Sequence, residues 1–243
     1  MRRYFAFGDL HGHHRELMAL YNRLLNDGLR PETDTLVFLG DHVDSGPDSR
    51  KVVARLMEWQ RRYPHWVFLL GNHEAMMLNA WQDWTAGDAE GFNLWWTQGG
   101  EATWRSYLNP GKPEPPLERS PFADIDVNHV SWLAQLPLYH ETDHFIFVHA
   151  GLRPPRAPAE NNPQDLIWIR DEFIRSYHDW GKRVIYGHTP VNEPLVMANK
   201  IGLDTLPRNV GKLTVVELDD EDPRIEPRFR FQPAFNETML DFL

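Results

Sequence analysis

The chain has 243 residues, of which 42% are hydrophobic, and it is acidic, with a formal net charge of −10. Its length and composition support a sizeable core, and we expect a single domain over residues 1–243. The absence of cysteine excludes disulfides, thiolate metal sites and a cysteine nucleophile, and the acidic charge argues against a nucleic-acid partner.

Apolar runs are short throughout the sequence. None approaches the ~20 residues that a membrane-spanning helix needs. The apolar stretch within the opening segment MRRYFAFGD is too short for a signal peptide. We therefore expect a cytoplasmic protein without a membrane partner.

Strand-like and helix-like segments alternate in the first third of the chain. Short apolar runs at Tyr4–Phe7, Thr35–Leu39 and Trp66–Leu70 each end at a glycine, which predicts three buried strands. Apolar residues recur at helical spacing over His13–Leu25 and Ser49–Tyr63, and the serine that opens the second helix is a candidate N-cap. This repetition of strand, loop and helix indicates parallel βαβ units.

The middle of the chain has a different pattern. Residues Ala75–Leu138 are helical in pattern and hold most of the ten tryptophans, with a proline-rich loop at Asn109–Pro121. We interpret residues 75–138 as a tryptophan-rich helical insertion that shapes a substrate cleft. A plain helical side layer, with the tryptophans used for packing, is the alternative.

Strand-like runs resume after the insertion. Phe145–Val148 and Val184–Tyr186 each lead into a short histidine-containing string. Three further runs are predicted as strands of a second sheet: Lys200–Leu203, Leu213–Leu218 and Arg228–Phe231. The tail, Gln232–Leu243, could dock as an amphipathic segment.

Five short strings that follow the predicted strands carry the polar chemistry. They are GDLHG (8–12), GDHVD (40–44), GNHE (71–74), HAG (149–151) and GHTP (187–190). Open α/β sheets place ligand sites at the carboxyl ends of their strands, so we expect these strings to meet. Their candidate metal ligands are Asp9, His11, Asp41, Asn72, His149 and His188. Such a mixed nitrogen and oxygen set suits manganese, iron or zinc, and two such ions can clamp a phosphoryl oxygen and activate a water.

The five strings, together with WIRDEF at Trp168–Phe173, resemble the calcineurin-like metallophosphoesterases. Within that superfamily they are most similar to the bacterial Ser/Thr phosphoprotein phosphatases near the phage-lambda type, and the resemblance covers Tyr4–Leu218. It implies an α/β fold with a central β-sandwich of mixed sheets, flanked by helices and carrying a helical insertion. It also implies metal-dependent hydrolysis of a phosphomonoester, with a phosphorylated protein or small phosphoester as substrate.

The resemblance further implies a role for each site residue. Asp9, His11 and Asp41 would hold one divalent ion, and Asp41, Asn72, His149 and His188 the other, with Asp41 bridging. Manganese is the expected metal, with iron or zinc as alternatives, and the water between the ions would be the nucleophile. His73 would be the general acid, oriented by Asp44. Arg170 and Asn72 would contact the substrate phosphate.

Position 45 departs from the pattern of this family. An arginine that contacts substrate phosphate usually follows the second aspartate of GDHVD, whereas this chain has Ser45. A neutral hydroxyl forms a weaker bond to phosphate than a guanidinium does, so phosphate binding should be weaker or shared. Arg170, Arg153 and Arg50 are the candidate replacements. A second departure, Leu206 in place of a frequent glycine, could reshape the cleft wall.

Three further histidines lie close to the motifs in the sequence: His13, His14 and His42. We expect His42, between two site aspartates, to line the cleft without binding metal. His13 and His14 are expected at the exposed start of a helix, with a supporting position beside the metal site as the alternative.

Two functions other than a protein phosphatase are compatible with the sequence. Symmetrical dinucleoside tetraphosphate hydrolases share these motifs, and a tryptophan could stack on a nucleobase. A metal-stabilised binding module with weakened catalysis would account for Ser45, although the complete ligand set argues against it. Turnover of a phosphoester by the wild-type protein would separate this module from an enzyme.

Overall fold

The computed structural model describes residues 3–86, 90–108, 120–206, 211–222 and 225–235. Its strands are β1 (Arg3–Phe7), β2 (Thr35–Phe38), β3 (Val67–Phe68), β4 (Tyr139–Glu141), β5 (Phe145–Val148), β6 (Arg183–Tyr186), β7 (Leu195–Val196), β8 (Lys200–Gly202), β9 (Lys212–Asp219) and β10 (Arg228–Pro233). Its α-helices are α1 (His14–Asn26), α2 (Ser49–Arg62), α3 (Asn72–Ala86), α4 (Glu90–Trp95), α5 (Glu101–Tyr107), α6 (Val127–Leu133), α7 (Pro163–Trp168) and α8 (Asp171–Ile174). Most of the predicted proline-rich loop and of the C-terminal tail lies outside the described residues.

The strands form two five-stranded mixed sheets. The first has the order β10-β9-β1-β2-β3, and the second has the order β4-β5-β6-β8-β7. β1, β2 and β3 are parallel, as the βαβ pattern predicted, and so are β5, β6 and β8. The predicted α/β fold with a central sandwich of mixed sheets is confirmed.

The assignment of the last two strands to a second sheet was wrong. β9 pairs antiparallel with β1, with Leu218 opposite Tyr4, and β10 pairs antiparallel with β9. Both strands therefore extend the first sheet, and β8 alone of the three predicted runs joins the second. An apolar run indicates that a strand is buried, but it does not indicate which strand it pairs with.

The two sheets pack face to face, with helices on both outer faces. Between them lie apolar side chains from both sheets, including Ala6, Val37, Phe147 and Ile185. A second cluster joins the outer face of the first sheet to α1, α2 and the tryptophan-rich helices. A third cluster joins the second sheet to α7 and α8. This layering fixes the strand ends, and with them the loops that carry the five motifs.

The tryptophans of the middle region are packing residues. Trp95 is fully buried and stacks on Phe122 with ring centroids 5.2 Å apart, and Trp104 is buried as well. The described part of this region consists of helices and connecting turns, with a kink at Gly99, whose φ is 109°, between α4 and α5. Over the described residues, none of the helices combines the length and apolar character that crossing a membrane requires.

Candidate metal centre

The motif loops have a strained backbone. Among the described residues, five that are not glycine have a positive φ, and all five belong to the motif loops: His11, Asp41, Asp44, Ser45 and His188. Residues other than glycine rarely adopt this backbone conformation, which costs on the order of 1 kcal/mol or more per residue. The surrounding fold therefore holds these loops in a geometry that local preference does not favour.

The predicted ligands converge at the carboxyl ends of β1, β2, β3, β5 and β6. Asp9, His11, Asp41, Asn72 and His188 line one cavity of about 310 Å³, and His149 is buried directly beneath it. Two groups of donors share Asp41: His11, Asp41 and His73 form the first, and Asp41, His149 and His188 form the second. A carboxylate common to two groups is what a bridging ligand requires.

The second group closes around a single point. The Oδ1 atom of Asn72 lies 2.9 Å from Nε2 of His149 and 2.8 Å from Nδ1 of His188, and Oδ1 of Asp41 lies 3.3 Å from the same Nε2. In the first group, Nε2 of His11 lies 3.7 Å from Oδ2 of Asp41. An amide oxygen, a carboxylate and two imidazole nitrogens converge, and this donor set fits a first-row divalent metal ion.

Hydrogen bonds fix which imidazole nitrogen faces the cavity. Nδ1 of His149 lies 2.9 Å from the carbonyl of Leu39, and Nδ1 of His11 lies 3.1 Å from the carbonyl of Val43. A carbonyl accepts only, so each Nδ1 carries the proton and each Nε2 keeps a lone pair. Burial lowers the pKa of His11 to about 4 and, with the nearby His149, that of His188 to about 3. Both rings are therefore neutral near pH 7, the form that binds metal.

Glu74 is a supporting residue for which we predicted no role. Its carboxylate is fully buried and accepts hydrogen bonds from the backbone N–H groups of Asp41, His42, Val43 and Gly71. It therefore ties the second motif to the third. Burial and the neighbouring charge of Asp41 raise the pKa of Glu74 to about 8. The available signal was an ionisable residue directly after His73 in GNHE.

Asp204 also enters the cavity. It is 3% exposed, and its Oδ1 has no hydrogen-bond partner among the described residues. Burial, and then the charge of Asp41, raises the pKa of Asp204 to about 7.

Asp9 is held by the backbone N–H of His188, which lies 3.0 Å from its Oδ2. A Cβ at Gly187 would lie 2.0 Å from the other oxygen of Asp9, so this close approach requires glycine.

His73 lies at the edge of the cavity and pairs with Asp44. Its Nδ1 is 2.8 Å from Oδ2 of Asp44, and its Nε2 is 3.9 Å from Oδ2 of Asp41. Burial lowers the pKa of His73, but the charge of Asp41 and the bond to Asp44 outweigh it and raise this pKa to about 9. His73 is therefore protonated near pH 7 and can donate a proton.

Of the three arginines considered for substrate phosphate, Arg170 reaches the cavity. Its Nε donates to Nε2 of His188 at 3.1 Å. Arg153 is bound to Asp165 and Glu172 instead, and neither Arg153 nor Arg50 belongs to the cavity lining.

Ser45 lines the same cavity, together with Gln98 from the helical region, which we had not predicted. The departure at position 206 does not form cavity wall among the described residues, because Leu206 is buried in the core beside the first sheet.

Two expectations about neighbouring histidines were wrong. His42 does not line the cavity: it is fully buried, and its Nε2 lies 3.0 Å from the carbonyl of Leu69. His13 is buried, with only 6% of its surface exposed, and its Nδ1 lies 3.4 Å from a carboxylate oxygen of Glu16. His14 is half-buried at the start of α1.

The helix cap predicted at Ser49 is also absent. The residue before α2 is Asp48, and no side chain caps this helix. The Oγ of Ser49 instead accepts the backbone N–H of Asp44 at 3.2 Å. The serine therefore serves the site loop rather than the helix end.

Comparison with known proteins agrees with this geometry. The sequence profile of the calcineurin-like phosphoesterases matches residues 2–216. The chain belongs to the calcineurin-like phosphoesterase family. This family membership makes the protein a phosphoester hydrolase and implies divalent metal ions at the donors described above. It is an enzyme, and the alternative of a binding module without catalysis is set aside.

Two curated relatives of this calcineurin-like phosphoesterase carry different names. Serine/threonine-protein phosphatase 2 of Escherichia coli (strain K12) is 25% identical over 225 residues, which span 89% of this chain and 93% of the relative. An asymmetrical bis(5'-nucleosyl)-tetraphosphatase of Geobacillus sp. (strain WCH70) is 28% identical over 232 residues, with 82% and 83% covered.

A solved structure supports the fold. A protein provisionally assigned as a diadenosine tetraphosphatase superposes with a TM-score of 0.66 at 21% identity. The superposition covers 96% of this chain and 94% of the other. At this level of identity the likeness concerns the fold alone.

Proposed function

We propose that the protein is a Ser/Thr phosphoprotein phosphatase that hydrolyses phosphomonoesters with the help of two divalent ions. Asp9, His11, Asp41, Asn72, His149 and His188 would hold the ions, with manganese as the expected metal. When bound, such ions polarise phosphoryl oxygens and lower the pKa of a water enough to make it a nucleophile near neutral pH. The metal identity and the cytoplasmic location remain predictions from the sequence.

The observation that carries the chemistry is the pairing of His73 with Asp44 at the rim of the donor set. Because Nδ1 of His73 is bonded to Asp44, Nε2 is directed at the cavity, where the leaving oxygen of a phosphate ester would lie. The protonated ring can transfer its Nε2 proton to that oxygen as the ester bond breaks. Arg170, also at the cavity, supplies a cation for the phosphoryl oxygens.

The charge next to the site favours a monoester. A second cavity of about 600 Å³ is lined by Asp83, Glu90 and Trp168, and the described lining residues include no lysine or arginine. The ring centroid of Trp168 lies 5.9 Å from that of His188, which lines the first cavity. A dinucleoside tetraphosphate would need cations for its additional phosphates, whereas a phosphopeptide with a basic flanking residue would complement the two carboxylates.

A second candidate is a dinucleoside tetraphosphate hydrolase of either cleavage symmetry. The 28% identity with an asymmetrical tetraphosphatase favours it. Trp168, which is 39% exposed, is the most exposed of the described tryptophans and offers a ring face that could accept a nucleobase. The buried tryptophans of the helical region give this candidate no support.

One assay separates the two candidates. Purified protein, loaded in turn with manganese, zinc and iron, is given a phosphoserine peptide, diadenosine tetraphosphate and p-nitrophenyl phosphate. We expect the highest kcat/KM on the phosphopeptide, and a loss of about a hundredfold or more in His73→Asn. His178→Asn, outside the cavity, is the matched control. Preferred cleavage of diadenosine tetraphosphate would replace the first proposal with the second, and no turnover of any ester would refute both.

A further inference from the structure

The helical region holds the carboxylate that orients His73. Oδ1 of Asp44 accepts two hydrogen bonds from this region: one from Nε1 of Trp95 at 3.0 Å, and one from Oγ1 of Thr103 at 2.7 Å. The other oxygen, Oδ2, lies 2.8 Å from Nδ1 of His73. The two oxygens of one carboxylate therefore face different elements, with donors from the helices on one side and the imidazole on the other.

These contacts are made without access to water. Asp44, Trp95 and Thr103 are each fully buried. The Thr103 hydroxyl also accepts the backbone N–H of Asp44 at 2.8 Å, so one side chain holds both ends of this residue. In such surroundings a carboxylate oxygen that loses a donor cannot replace it with solvent, and the group loses both solvation and a fixed rotamer.

The backbone next to Asp44 is held by the same region. The N–H of Ser45 donates to the carbonyl of Gly99 at 3.1 Å. Gly99 has a φ of 109°, and a Cβ there would lie 2.8 Å from the nitrogen of Ser45. The approach of the helical region to the second motif is therefore close and requires glycine.

We propose that Trp95 and Thr103 are positioning residues for catalysis, which act through Asp44 to hold the His73 imidazole in the orientation that delivers its proton to the leaving group. The proposal rests on the proposed function only in the role of His73. It assigns the helical region a part in the chemistry, besides any part in shaping a cleft. A carboxylate fixed at Oδ1 leaves one direction for Oδ2, and this direction sets the plane of the ring.

The dependence of rate on the leaving group provides the test. Proton donation matters most when the departing oxygen is strongly basic. A defect in His73 should therefore slow the hydrolysis of phenyl phosphate more than that of p-nitrophenyl phosphate. Thr103→Val preserves shape and removes the hydroxyl, while Thr103→Ser restores it. We expect Thr103→Val to lower kcat on phenyl phosphate about tenfold, the size of one charge-assisted hydrogen bond, with KM unchanged. On p-nitrophenyl phosphate the loss should be clearly smaller, and Thr103→Ser should recover most of the rate.

Trp95→Phe removes the second donor and keeps an aromatic ring in the core. Its matched control is Trp104→Phe, because Trp104 is also buried and its Nε1 has no hydrogen-bond partner among the described residues. Thr85→Val is the control for the hydroxyl, since Thr85 bonds only to carbonyls of its own helix among the described residues. Trp95→Phe should reproduce the leaving-group effect, and neither control should.

Two further measurements separate a positioning role from a structural one. In a His73→Asn background, Thr103→Val should cause no additional loss, because the residue through which it acts is gone. In the metal-free protein, the imidazole N–H proton of His73 should shift in the NMR spectrum of Thr103→Val but not in that of Thr85→Val. Equal losses on both esters, a raised KM alone or additive losses with His73→Asn would overturn the proposal. If His73→Asn itself leaves phenyl phosphate turnover unchanged, the proposed acid is wrong, and the NMR comparison still tests whether Trp95 and Thr103 orient the ring.

Discussion

The imidazole Nδ1 of His73 lies 2.8 Å from Oδ2 of Asp44, while Nε2 of the same ring lies 3.9 Å from Asp41. One ring nitrogen of His73 therefore forms a hydrogen bond with a buried carboxylate, and the other is directed at the candidate metal ligands. Because Asp44 is fully buried, its charge acts on His73 with little screening by water. This relationship determines the direction of the ring, and together with the charge of Asp41 it keeps the ring protonated.

The pH dependence of activity follows from this pair. The negative charges of Asp41 and Asp44 outweigh burial and raise the pKa of His73 to about 9, so the ring holds its proton at neutral pH. As pH rises through this pKa the acid is lost, and kcat/KM should fall on the alkaline side. Asp44→Asn removes one negative charge, which lowers the pKa of His73 and should move the alkaline limb to lower pH.

A pH–rate profile of the residual activity of Asp44→Asn measures this shift. Asp143→Asn, an exposed carboxylate outside the cavity, serves as the control and should leave the limb in place. A limb that stays at the wild-type pH in Asp44→Asn, or moves to higher pH, would contradict a contribution of Asp44 to the raised pKa of His73, beside that of Asp41.

Ser45→Arg should strengthen phosphate binding. Ser45 lines the cavity, and a guanidinium at this position would add a charge-assisted bond to phosphate, where the hydroxyl supplies a neutral one. The difference is about 1 kcal/mol, so we expect inorganic phosphate to inhibit roughly fivefold more strongly. Inhibition constants measured against p-nitrophenyl phosphate test this. Unchanged inhibition, with the variant folded, would mean that Arg170 alone determines phosphate affinity.

The acidic cavity beside the metal centre should select the charge of the substrate. Asp83 and Glu90 line it, so phosphopeptides with lysine or arginine beside the phosphoserine should be cleaved faster than matched peptides with glutamate. Asp83→Asn should reduce this preference about threefold to fivefold, the effect of one partly exposed charge. The ratio of kcat/KM for the two peptides is the measurement, with Asp143→Asn as the control. A preference that survives in Asp83→Asn and in Glu90→Gln would place recognition elsewhere.

The sequence predicted the sheet core and the convergence of the motifs because both depend on local pattern. A short apolar run that ends at a glycine indicates a buried strand and the turn that follows it, and parallel strands bring such turns together. His11, His149 and His188 could therefore be brought to one place from the sequence. The strand that pairs with β9 could not be predicted in this way, because the pattern of buried residues along a strand is the same in either sheet.

The supporting residues were not predictable for a related reason. Glu74 in the first turn of a helix is expected from its favourable interaction with the helix dipole alone. Its actual partners are backbone N–H groups around Asp41, more than 30 residues earlier. Thr103 is equally ordinary within its helix, and it contacts Asp44 across 59 residues. Such contacts arise only from the packing of one element against another.

Metal binding should stabilise the fold. Ions that bind the native state and not the unfolded chain raise the free energy of unfolding by about 2.7 kcal/mol when their concentration is a hundredfold above Kd. We expect manganese to raise the melting temperature of chelator-treated protein and His188→Ala to abolish most of this gain. Calorimetry with His178→Ala as the control tests this. An equal gain in His188→Ala would show that the stabilising ions bind elsewhere.

Lys200 should contribute to stability through the loop that carries Arg170. This lysine is fully buried in β8, and its Nζ donates to the carbonyls of Phe173, Ile174 and Ser176, at the end of α8. Lys200→Met keeps the aliphatic stem but removes the one described donor to the carbonyl of Ile174, while the carbonyls of Phe173 and Ser176 keep the N–H of Ser176 and Nδ2 of Asn199. We therefore expect a loss on the order of 1–3 kcal/mol in the free energy of unfolding. Urea unfolding measures this loss. Lys182→Met, which removes a more exposed pair with Glu141, should change stability by less than about 1 kcal/mol.

Because α8 begins one residue after Arg170, Lys200→Met should also weaken inhibition by phosphate. A stable Lys200→Met protein with unchanged inhibition would show that neighbouring contacts hold this loop without the lysine.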